Sequence, residues 1–205
     1  MIHTVNLDLT THCNKRCPDC CAGVGINRVL GHHDWSYFET AAKWLQGIER
    51  INLTGGEPTA HPKFAEFVPR FRELFGCTTL TMNTNGYRVI AHLDTIVEHF
   101  TWVDFSDYGD NHQALNALLG RGVKVGMYNA GPNGANFVPR IRRAEGKPCS
   151  RACFISDGCA YADGKFFGCC VGPGIPTATP LEPQIDWKTI LPTVPLPCND
   201  CWFAE

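Results

Sequence analysis

Three cysteines near the N-terminus, Cys13, Cys17 and Cys20, are the residues of this chain best suited to chemistry. They follow residues 5–10, which alternate apolar and polar side chains like a β-strand. Cysteine thiolates bind iron–sulfur clusters, so three on one loop can ligate three irons of a [4Fe–4S] cube and leave the fourth open for a substrate or cofactor. A structural zinc ion is the alternative, but it takes four ligands in a closed shell. The C-x3-C-x2-C spacing therefore favours a cluster with one open position.

A second group of cysteines lies toward the C-terminal end, and Cys77 stands alone between the two groups as an expected buried thiol. Residues 1–5 do not resemble a secretion signal. In a large protein that is not secreted, metal binding explains twelve cysteines better than disulfides do. The members of the second group are Cys149, Cys153, Cys159, Cys169, Cys170, Cys198 and Cys201.

The composition argues against several classes of partner. The 205 residues carry a formal net charge of -2, and 19% of them are charged, so we expect no basic surface for nucleic acid or an anionic membrane. No apolar run approaches the roughly 18 residues of a membrane span. The sequence therefore predicts a cytoplasmic protein with neither a nucleic-acid nor a membrane partner.

Strand and helix patterns alternate along residues 4–130, which is typical of parallel βαβ units. The predicted strands are residues 5–10, 51–54, 78–84, 101–105 and 123–128. The predicted helices are residues 34–49, 62–75, 90–100 and 111–119. Pro69 is expected to kink or split the second helix. Since five strands fall short of the eight of a closed barrel, the predicted fold class is α/β, an open, partial (β/α) barrel of parallel strands.

Polar or metal-binding residues follow the first four predicted strands. The carboxyl ends of parallel strands meet at one edge of a sheet, where such folds bind their ligands. We therefore expect the three-cysteine loop to converge with residues 55–57, 83–86 and 106–109.

Residues 147–205 differ from residues 1–146 because they are rich in cysteine, glycine and proline. Residues 160–168 predict a β-hairpin around Asp163 and Gly164, since Asp-Gly favours the turn that fits twisted strands. Residues 173–197 hold seven prolines and predict an irregular strap over the surface. We predict a core domain at residues 1–146 and a small cysteine-rich extension with a β-hairpin at residues 147–205.

The three-cysteine motif, together with Thr-Gly-Gly-Glu-Pro at residues 54–58, resembles the radical S-adenosylmethionine (radical SAM) superfamily. In that family the amino and carboxylate groups of S-adenosylmethionine chelate the open iron of a [4Fe–4S] cluster. Electron transfer then gives a 5′-deoxyadenosyl radical that abstracts a substrate hydrogen. The resemblance implies that Cys13, Cys17 and Cys20 ligate this cluster and that a flavodoxin- or ferredoxin-like protein reduces it. One departure is Asp19, because the residue before the third cysteine is usually aromatic in the family.

The resemblance also implies that residues at the strand ends bind the cofactor. Gly55, Gly56 and Glu57 match the segment that recognises the methionyl amino group, and the glycines would let the backbone approach the ligand closely. A solvated turn is the alternative for that segment. Asn83 and Asn85, or the neighbouring Thr84, are expected to hydrogen-bond the ribose or carboxylate of the cofactor. Asn85 followed by a glycine equally suits a simple turn.

The fourth strand end is expected to face the substrate. Ser106 would contribute to the cofactor site, and Asp107 or Tyr108 would orient a polar substrate or accept a proton as the catalytic group. A structural role is the alternative for Asp107, since aspartate beside glycine is common in loops. Met127 lies where the family's fifth strand packs the adenine, but we expect it in the core.

The hairpin cysteines resemble those of the SPASM and twitch domains, which carry auxiliary iron–sulfur clusters beside a radical SAM core. This implies an auxiliary [4Fe–4S] cluster, and a zinc ribbon is the alternative. The implied ligands are Cys153, Cys169, Cys198 and Cys201, with Cys149, Cys159 and Cys170 as substitutes.

The expected function is that of a radical SAM enzyme that dehydrogenates or epimerises a polar small molecule such as a sugar or aminocyclitol. We expect no extra N-terminal leader-binding domain of the kind many peptide maturases use, so modification of a ribosomal peptide, with recognition by a separate protein, is the second hypothesis. A third hypothesis, of a different class, is a non-catalytic iron–sulfur electron carrier or zinc-binding module.

Overall fold

The computed structural model describes residues 4–18, 20, 22–25, 28–134 and 158–167, and one seven-stranded sheet runs through them. The strands are β1 (Thr4–Thr10), β2 (Arg50–Gly55), β3 (Thr79–Thr84), β4 (Trp102–Asp107), β5 (Val125–Asn129), β6 (Gly158–Ala162) and β7 (Lys165–Phe167). The helices are α1 (Trp35–Ala42), α2 (Phe64–Phe75), α3 (Leu93–His99) and α4 (His112–Gly120). Short 3-10 turns occupy Pro58–Ala60, Ile90–His92 and Pro132–Gly134.

The sheet is open and almost entirely parallel. Its order is β5-β4-β3-β2-β1-β6-β7, and every pair from β5 to β6 is parallel. Among the described strands, β5 and β7 each have one neighbour, so the sheet does not close on itself. This architecture confirms the predicted α/β class and the open, partial (β/α) barrel.

The predicted hairpin is present, and it extends the same sheet. β6 and β7 are antiparallel around Asp163 and Gly164, which have φ of 51° and 74° as a two-residue hairpin turn requires. β6 pairs in parallel with β1, which sequence reasoning did not foresee. The domain division after residue 146 stays a prediction, because residues 135–157 and 168–205 lie outside the described ranges.

The two faces of the sheet differ in polarity, because β1 to β4 alternate apolar and polar residues. The buried apolar side chains of one face, called the outer face here, are Val5, Leu7, Leu9, Ile51, Leu53, Leu80, Met82, Val103 and Phe105. The opposite, inner face carries Asn6, Asp8, Asn52, Thr54, Thr81, Asn83, Asp104 and Ser106. Parallel strands covered by helices on both faces are apolar throughout. Among the described elements, this alternation therefore indicates that helices cover the outer face and leave the inner face without them.

The outer face belongs to the main hydrophobic core together with the four helices. Phe38 of α1 packs edge-on against Phe71 of α2, with ring centroids 5.0 Å apart, and Trp35 and Phe67 join them. Aromatic side chains bury large apolar areas, so this cluster anchors α1 and α2 on the sheet. The strand ends are thereby held in place for the site. Within the described ranges no helix is long and apolar enough to span a bilayer.

Two helix predictions need correction. α1 ends at Ala42, well before residue 49, in a turn where the N–H groups of Trp44 and Leu45 both donate to the carbonyl of Ala41. The chain turns again at Gly47, whose N–H donates to the carbonyl of Phe75 at 3.2 Å. The Gln46 side chain holds this turn by donating to the carbonyls of Ala42 and Leu74. α2 is one helix from Phe64 to Phe75 that contains Pro69, so the proline does not split it.

Candidate functional site

A cavity of about 380 Å³ opens at the carboxyl ends of the parallel strands, on the inner face of the sheet. Its volume is within the range of small-molecule sites. The predicted site residues that line it are Cys13, Cys17, Cys20, Gly55, Gly56, Glu57, Asn83, Asn85, Ser106 and Tyr108. The expected convergence of four strand ends is therefore confirmed for the described residues.

The three N-terminal cysteines form no disulfide among the described residues, and they share one wall of the cavity. Cys17 is buried, and Cys13 and Cys20 are partly buried. Burial raises the pKa of the Cys13 thiol to about 12, so its ionisation needs a nearby positive charge such as a metal ion. Within the described ranges, no group of three or more His, Cys, Asp or Glu is arranged to hold a single metal ion. Three thiols around an open cavity fit a larger, incompletely ligated cluster.

Gly55 and Gly56 allow two loops to pack backbone against backbone. The N–H of Gly56 donates to the carbonyl of Thr10 at 2.6 Å, and the N–H of Glu57 donates to the carbonyl of His12 at 2.7 Å. A Cβ on Gly55 or Gly56 would lie 2.1 Å from those same carbonyl oxygens. The glycines therefore fix the backbone that leads into Cys13, a contact with protein that the sequence analysis did not anticipate.

Glu57 is buried at the centre of a hydrogen-bond network. Its Oε1 accepts from the N–H and hydroxyl of Thr59 and from the hydroxyl of Thr84, and its Oε2 accepts from the N–H of Asn85 at 2.6 Å. Burial raises the pKa of Glu57, and these hydrogen bonds partly oppose the rise. The carboxylate thus joins the ends of β2 and β3, while the same residue lines the cavity.

The two asparagines of the third strand end take different positions. Asn85 is buried, and its Nδ2 donates to Asn14 Oδ1 at 2.9 Å and to Cys13 Sγ at 3.5 Å. Its Oδ1 accepts from the N–H of Tyr87, so it also forms the expected turn. Asn83 is exposed on the cavity wall and accepts from Asn52 Nδ2 at 3.0 Å.

The fourth strand end places Ser106 and Tyr108 in the cavity wall but not Asp107. The Asp107 carboxylate accepts from the N–H of Gly109 at 2.8 Å and lies 3.3 Å from His112 Nε2. The Tyr108 hydroxyl lies 3.3 Å from Cys17 Sγ, and its side chain is buried with Cys17. Tyr108 is therefore brought to the cysteine loop, which the sequence did not predict.

A polar ladder on the inner face was also missed. Asn52 Nδ2 donates to Asn6 Oδ1 at 2.6 Å and to Asn83 Oδ1, while Asn52 Oδ1 accepts from the Thr81 hydroxyl at 2.9 Å. These residues stand side by side because Asn6 pairs with Asn52, and Asn52 with Thr81, in the strand register. The signal in the sequence was the apolar–polar alternation repeated in four strands.

An ionic group closes the other side of the cavity. Arg28 is buried, contacts Asp8 as an ion pair, and bonds both carboxylate oxygens of Asp163 at 2.8 and 2.9 Å. Thr54 donates to Asp8 at 3.1 Å. The hairpin turn is thereby fixed to the segment that follows the cysteine motif, a contact between residues 135 positions apart.

Several predicted site residues cannot be placed. Cys153, Cys169, Cys198 and Cys201, with the substitutes Cys149 and Cys170, lie outside the described residues, as does Asp19. For Cys159, only the backbone in β6 is described. Cys77 is buried as expected. The expectation that Met127 is a core residue is wrong, because it is 58% exposed and lines the cavity.

Comparisons with known proteins agree with this geometry. A family model described as the Radical SAM superfamily matches residues 7–128. The GTP 3′,8-cyclase of Thermodesulfovibrio yellowstonii is 31% identical over 90 residues, which are 42% of this chain and 28% of that protein. The GTP 3′,8-cyclase of Edwardsiella ictaluri is 36% identical over 91 residues, or 42% of this chain and 27% of that protein. The match thus spans little more than a quarter of the length of these curated relatives.

A solved structure shares the fold more completely. The crystal structure of BtrN in complex with AdoMet and 2-DOIA has a TM-score of 0.65 to this chain at 17% identity. The similarity covers 83% of this chain and 74% of that chain. At this level of identity the comparison shows a common fold.

Proposed function

This chain belongs to the radical SAM superfamily, and we propose that it is an enzyme that abstracts hydrogen from a polar small molecule. The proposed cofactors are a [4Fe–4S] cluster held by Cys13, Cys17 and Cys20, and S-adenosylmethionine. The observation that carries the proposal is that Cys13, Cys17 and Cys20 line one cavity together with polar side chains of the inner face of the sheet. The cysteine wall of the cavity can thus hold the cluster, while the polar inner face can bind a polar substrate.

The proposed role of the protein residues is to bind and position the cluster and S-adenosylmethionine and to shield the radical from solvent. When bound, the cluster supplies the electron that cleaves S-adenosylmethionine to the 5′-deoxyadenosyl radical. Gly56 and Glu57 fix the backbone before Cys13 through their N–H groups, and the Glu57 carboxylate holds the third strand end. The backbone of residues 55–57 and the side chain of Asn83 line the cavity, where they are proposed to bind S-adenosylmethionine.

The polar side chains placed in the cavity wall favour a neutral or amine-bearing substrate with several hydroxyl groups. Its wall presents amide, hydroxyl and carboxylate groups, among them Asn6, Thr54 and Asp104. The cations in the described part of the wall are Lys15 and Arg28, which pair with Asp110 and with Asp8 and Asp163 respectively. Small-molecule pockets orient a ligand through a small number of placed polar groups such as these.

The proposed reaction is dehydrogenation or epimerisation. An auxiliary [4Fe–4S] cluster on Cys153, Cys169, Cys198 and Cys201 would accept an electron from a substrate radical, and a flavodoxin- or ferredoxin-like protein would supply the first electron. These ligands and this partner stay predictions. A ribosomal peptide is the alternative substrate, and mass spectrometry of candidate substrates after turnover distinguishes the two.

A nucleotide is a second candidate substrate, since the relatives at 31% and 36% identity are GTP 3′,8-cyclases. Binding of a triphosphate usually requires basic side chains that are not already paired, because arginine and lysine make the main contacts with phosphate. In the described wall both cations are already paired with carboxylates. Incubation with GTP tests this directly: a cyclised nucleotide product would replace the proposal of a polyhydroxylated substrate.

The proposed function is tested by anaerobic incubation of the full chain with S-adenosylmethionine and a strong reductant after cluster reconstitution. We expect 5′-deoxyadenosine from the wild-type protein and none from Cys17→Ser. The matched control is Cys77→Ser, which removes a thiol that does not line the cavity and should retain the activity.

Two outcomes would contradict the proposal. A brown, iron-loaded protein that forms no 5′-deoxyadenosine would support an electron carrier. A colourless protein that binds zinc in place of iron would support the zinc-module hypothesis.

A further inference from the structure

Two of the three cluster cysteines are contacted by side chains from neighbouring strand ends. The Tyr108 hydroxyl, at the end of β4, lies 3.3 Å from Cys17 Sγ. Asn85 Nδ2, at the end of β3, lies 3.5 Å from Cys13 Sγ, and the N–H of Lys15 lies 3.4 Å from the same sulfur. The ends of β3 and β4 therefore each place a hydrogen-bonding side chain beside a cysteine sulfur.

The direction of the Tyr108 contact follows from the chemistry of the ligand. A cysteine that binds iron is a thiolate and has no proton, so it can only accept a hydrogen bond. A tyrosine hydroxyl ordinarily ionises only at about pH 10, so it carries its proton at neutral pH. Tyr108 is therefore the donor whenever Cys17 binds iron.

The two donors are held in a fixed relation to each other. Asn111 Nδ2 donates to the carbonyls of Asn85 and Ser106 at 2.7 and 2.8 Å, and Asn111 Oδ1 accepts from the N–H of Tyr108 at 3.3 Å. The Lys15 ammonium lies over the Tyr108 ring, 4.8 Å from its centroid. A donor fixed in this way can bond a sulfur at little further entropic cost.

We propose that Tyr108 and Asn85 donate hydrogen bonds to the sulfurs of Cys17 and Cys13 in the cluster-loaded protein and thereby raise the reduction potential of the cluster. The inference rests on the proposed function, because it requires a cluster on these cysteines. Reduction places extra negative charge on the sulfurs, and hydrogen-bond donors stabilise that charge. Tyr108 is then a residue that tunes the cluster, in place of the substrate-binding role expected from the sequence.

The test compares Tyr108→Phe with wild type, each reconstituted with iron and sulfide as the full chain. The midpoint potential is measured by an anaerobic redox titration followed by electron paramagnetic resonance, on the signal that changes when S-adenosylmethionine is added. We expect reduction to become about tenfold less favourable in Tyr108→Phe, which is about 59 mV more negative for one electron. Tyr87→Phe is the matched control, since it removes an exposed hydroxyl outside the cavity and should leave the potential unchanged.

An unchanged midpoint in Tyr108→Phe at equal iron content would overturn the inference. If this variant assembles no cluster, 3,5-difluorotyrosine incorporated at position 108 decides the question. Its hydroxyl is more acidic and a stronger donor, so we expect a more positive potential, and an unchanged potential would overturn the inference. A wild-type chain that binds no iron–sulfur cluster overturns the proposed function itself, an outcome that needs no variant to recognise.

Discussion

The outer and inner faces of the sheet are built from the same strands, with consecutive residues pointing to opposite sides. Leu53 is buried in the helix-packed core, whereas its neighbour Asn52 bonds other polar side chains beside the cavity. The outer face is stabilised by removing apolar surface from water, and the inner face by hydrogen bonds that water can partly replace. Along each strand, every second residue therefore stabilises the fold, and the residues between them shape the site.

The largest effect is expected from truncating the outer face. Leu53→Ala should lower the free energy of unfolding by about 2–5 kcal/mol, because it leaves a cavity in a close-packed core. Asn52→Ala, one residue away, should cost about 1 kcal/mol. Denaturant unfolding of both variants measures the difference, and equal losses would show that the two faces contribute alike.

Glu57 sharpens the comparison, since it is a polar residue on the cavity side that is nonetheless buried. Glu57→Gln should lower the free energy of unfolding by about 2 kcal/mol. Both carboxylate oxygens accept hydrogen bonds, and the NH2 group of glutamine would face one of these donors without being able to accept. Thermal or denaturant unfolding checks this value. Glu66→Gln, on the exposed side of α2, is the matched control and should change stability by less than about 0.5 kcal/mol. An equally small change in Glu57→Gln would show that the hydrogen bonds of Glu57 contribute little to stability.

A histidine packed against α1 should make stability depend on pH. His33 stacks on Tyr37, with ring centroids 3.8 Å apart, and burial lowers its pKa to about 4. The unfolded chain takes up this proton near pH 6.5. As the pH falls from about 6.5 to 4, protonation therefore favours the unfolded state, and stability declines before levelling off.

With allowance for partial exposure, the decline attributable to His33 is about 1–2 kcal/mol. Unfolding curves collected from pH 7 to 4 should show a shallower decline for His33→Phe, which retains the stacking on Tyr37. A decline as steep as that of wild type would assign the effect to other groups.

The smallest effect on stability is expected at the exposed end of the sheet. Met127 is 58% exposed in the cavity wall, so Met127→Ala should change the free energy of unfolding by less than about 0.5 kcal/mol. The same change should weaken S-adenosylmethionine binding by about fivefold, or about 1 kcal/mol, if the side chain covers the adenine. Calorimetry measures the affinity, and an unchanged value would leave Met127 outside the ligand site.

The strands and their convergence could be predicted because periodicity and turn residues are local signals. β1 to β5 lie within a few residues of the predicted ranges, and the Asp163–Gly164 turn is where the dipeptide placed it. The loop with Cys13, Cys17 and Cys20 lies at the cavity together with the strand ends, as the parallel strand order predicted. Such features depend on near neighbours in the chain.

What could not be predicted depends on register and on distant partners. A one-residue slip would move every side chain of a strand to the other face, so the pairing of Asn6 with Asn52 could not be inferred from either strand alone. The contact between Arg28 and Asp163 joins residues 135 positions apart. The position of Tyr108 at a strand end could be predicted, whereas its contact with Cys17 could not, because these residues are 91 positions apart.

The position of β6 beside β1 has a consequence for how the chain acquires its structure. Thr4 pairs with Gly158, so the contact joins residues 154 positions apart (158 minus 4). Pairings of such long range are slow to form, because a large loop must close before they give any stabilisation. On the ribosome, β1 would have β2 on one side and an unpaired edge on the other until β6 emerges. Exposed strand edges recruit other chains, so a chain that ends before Gly158 should aggregate more readily than one that includes the hairpin.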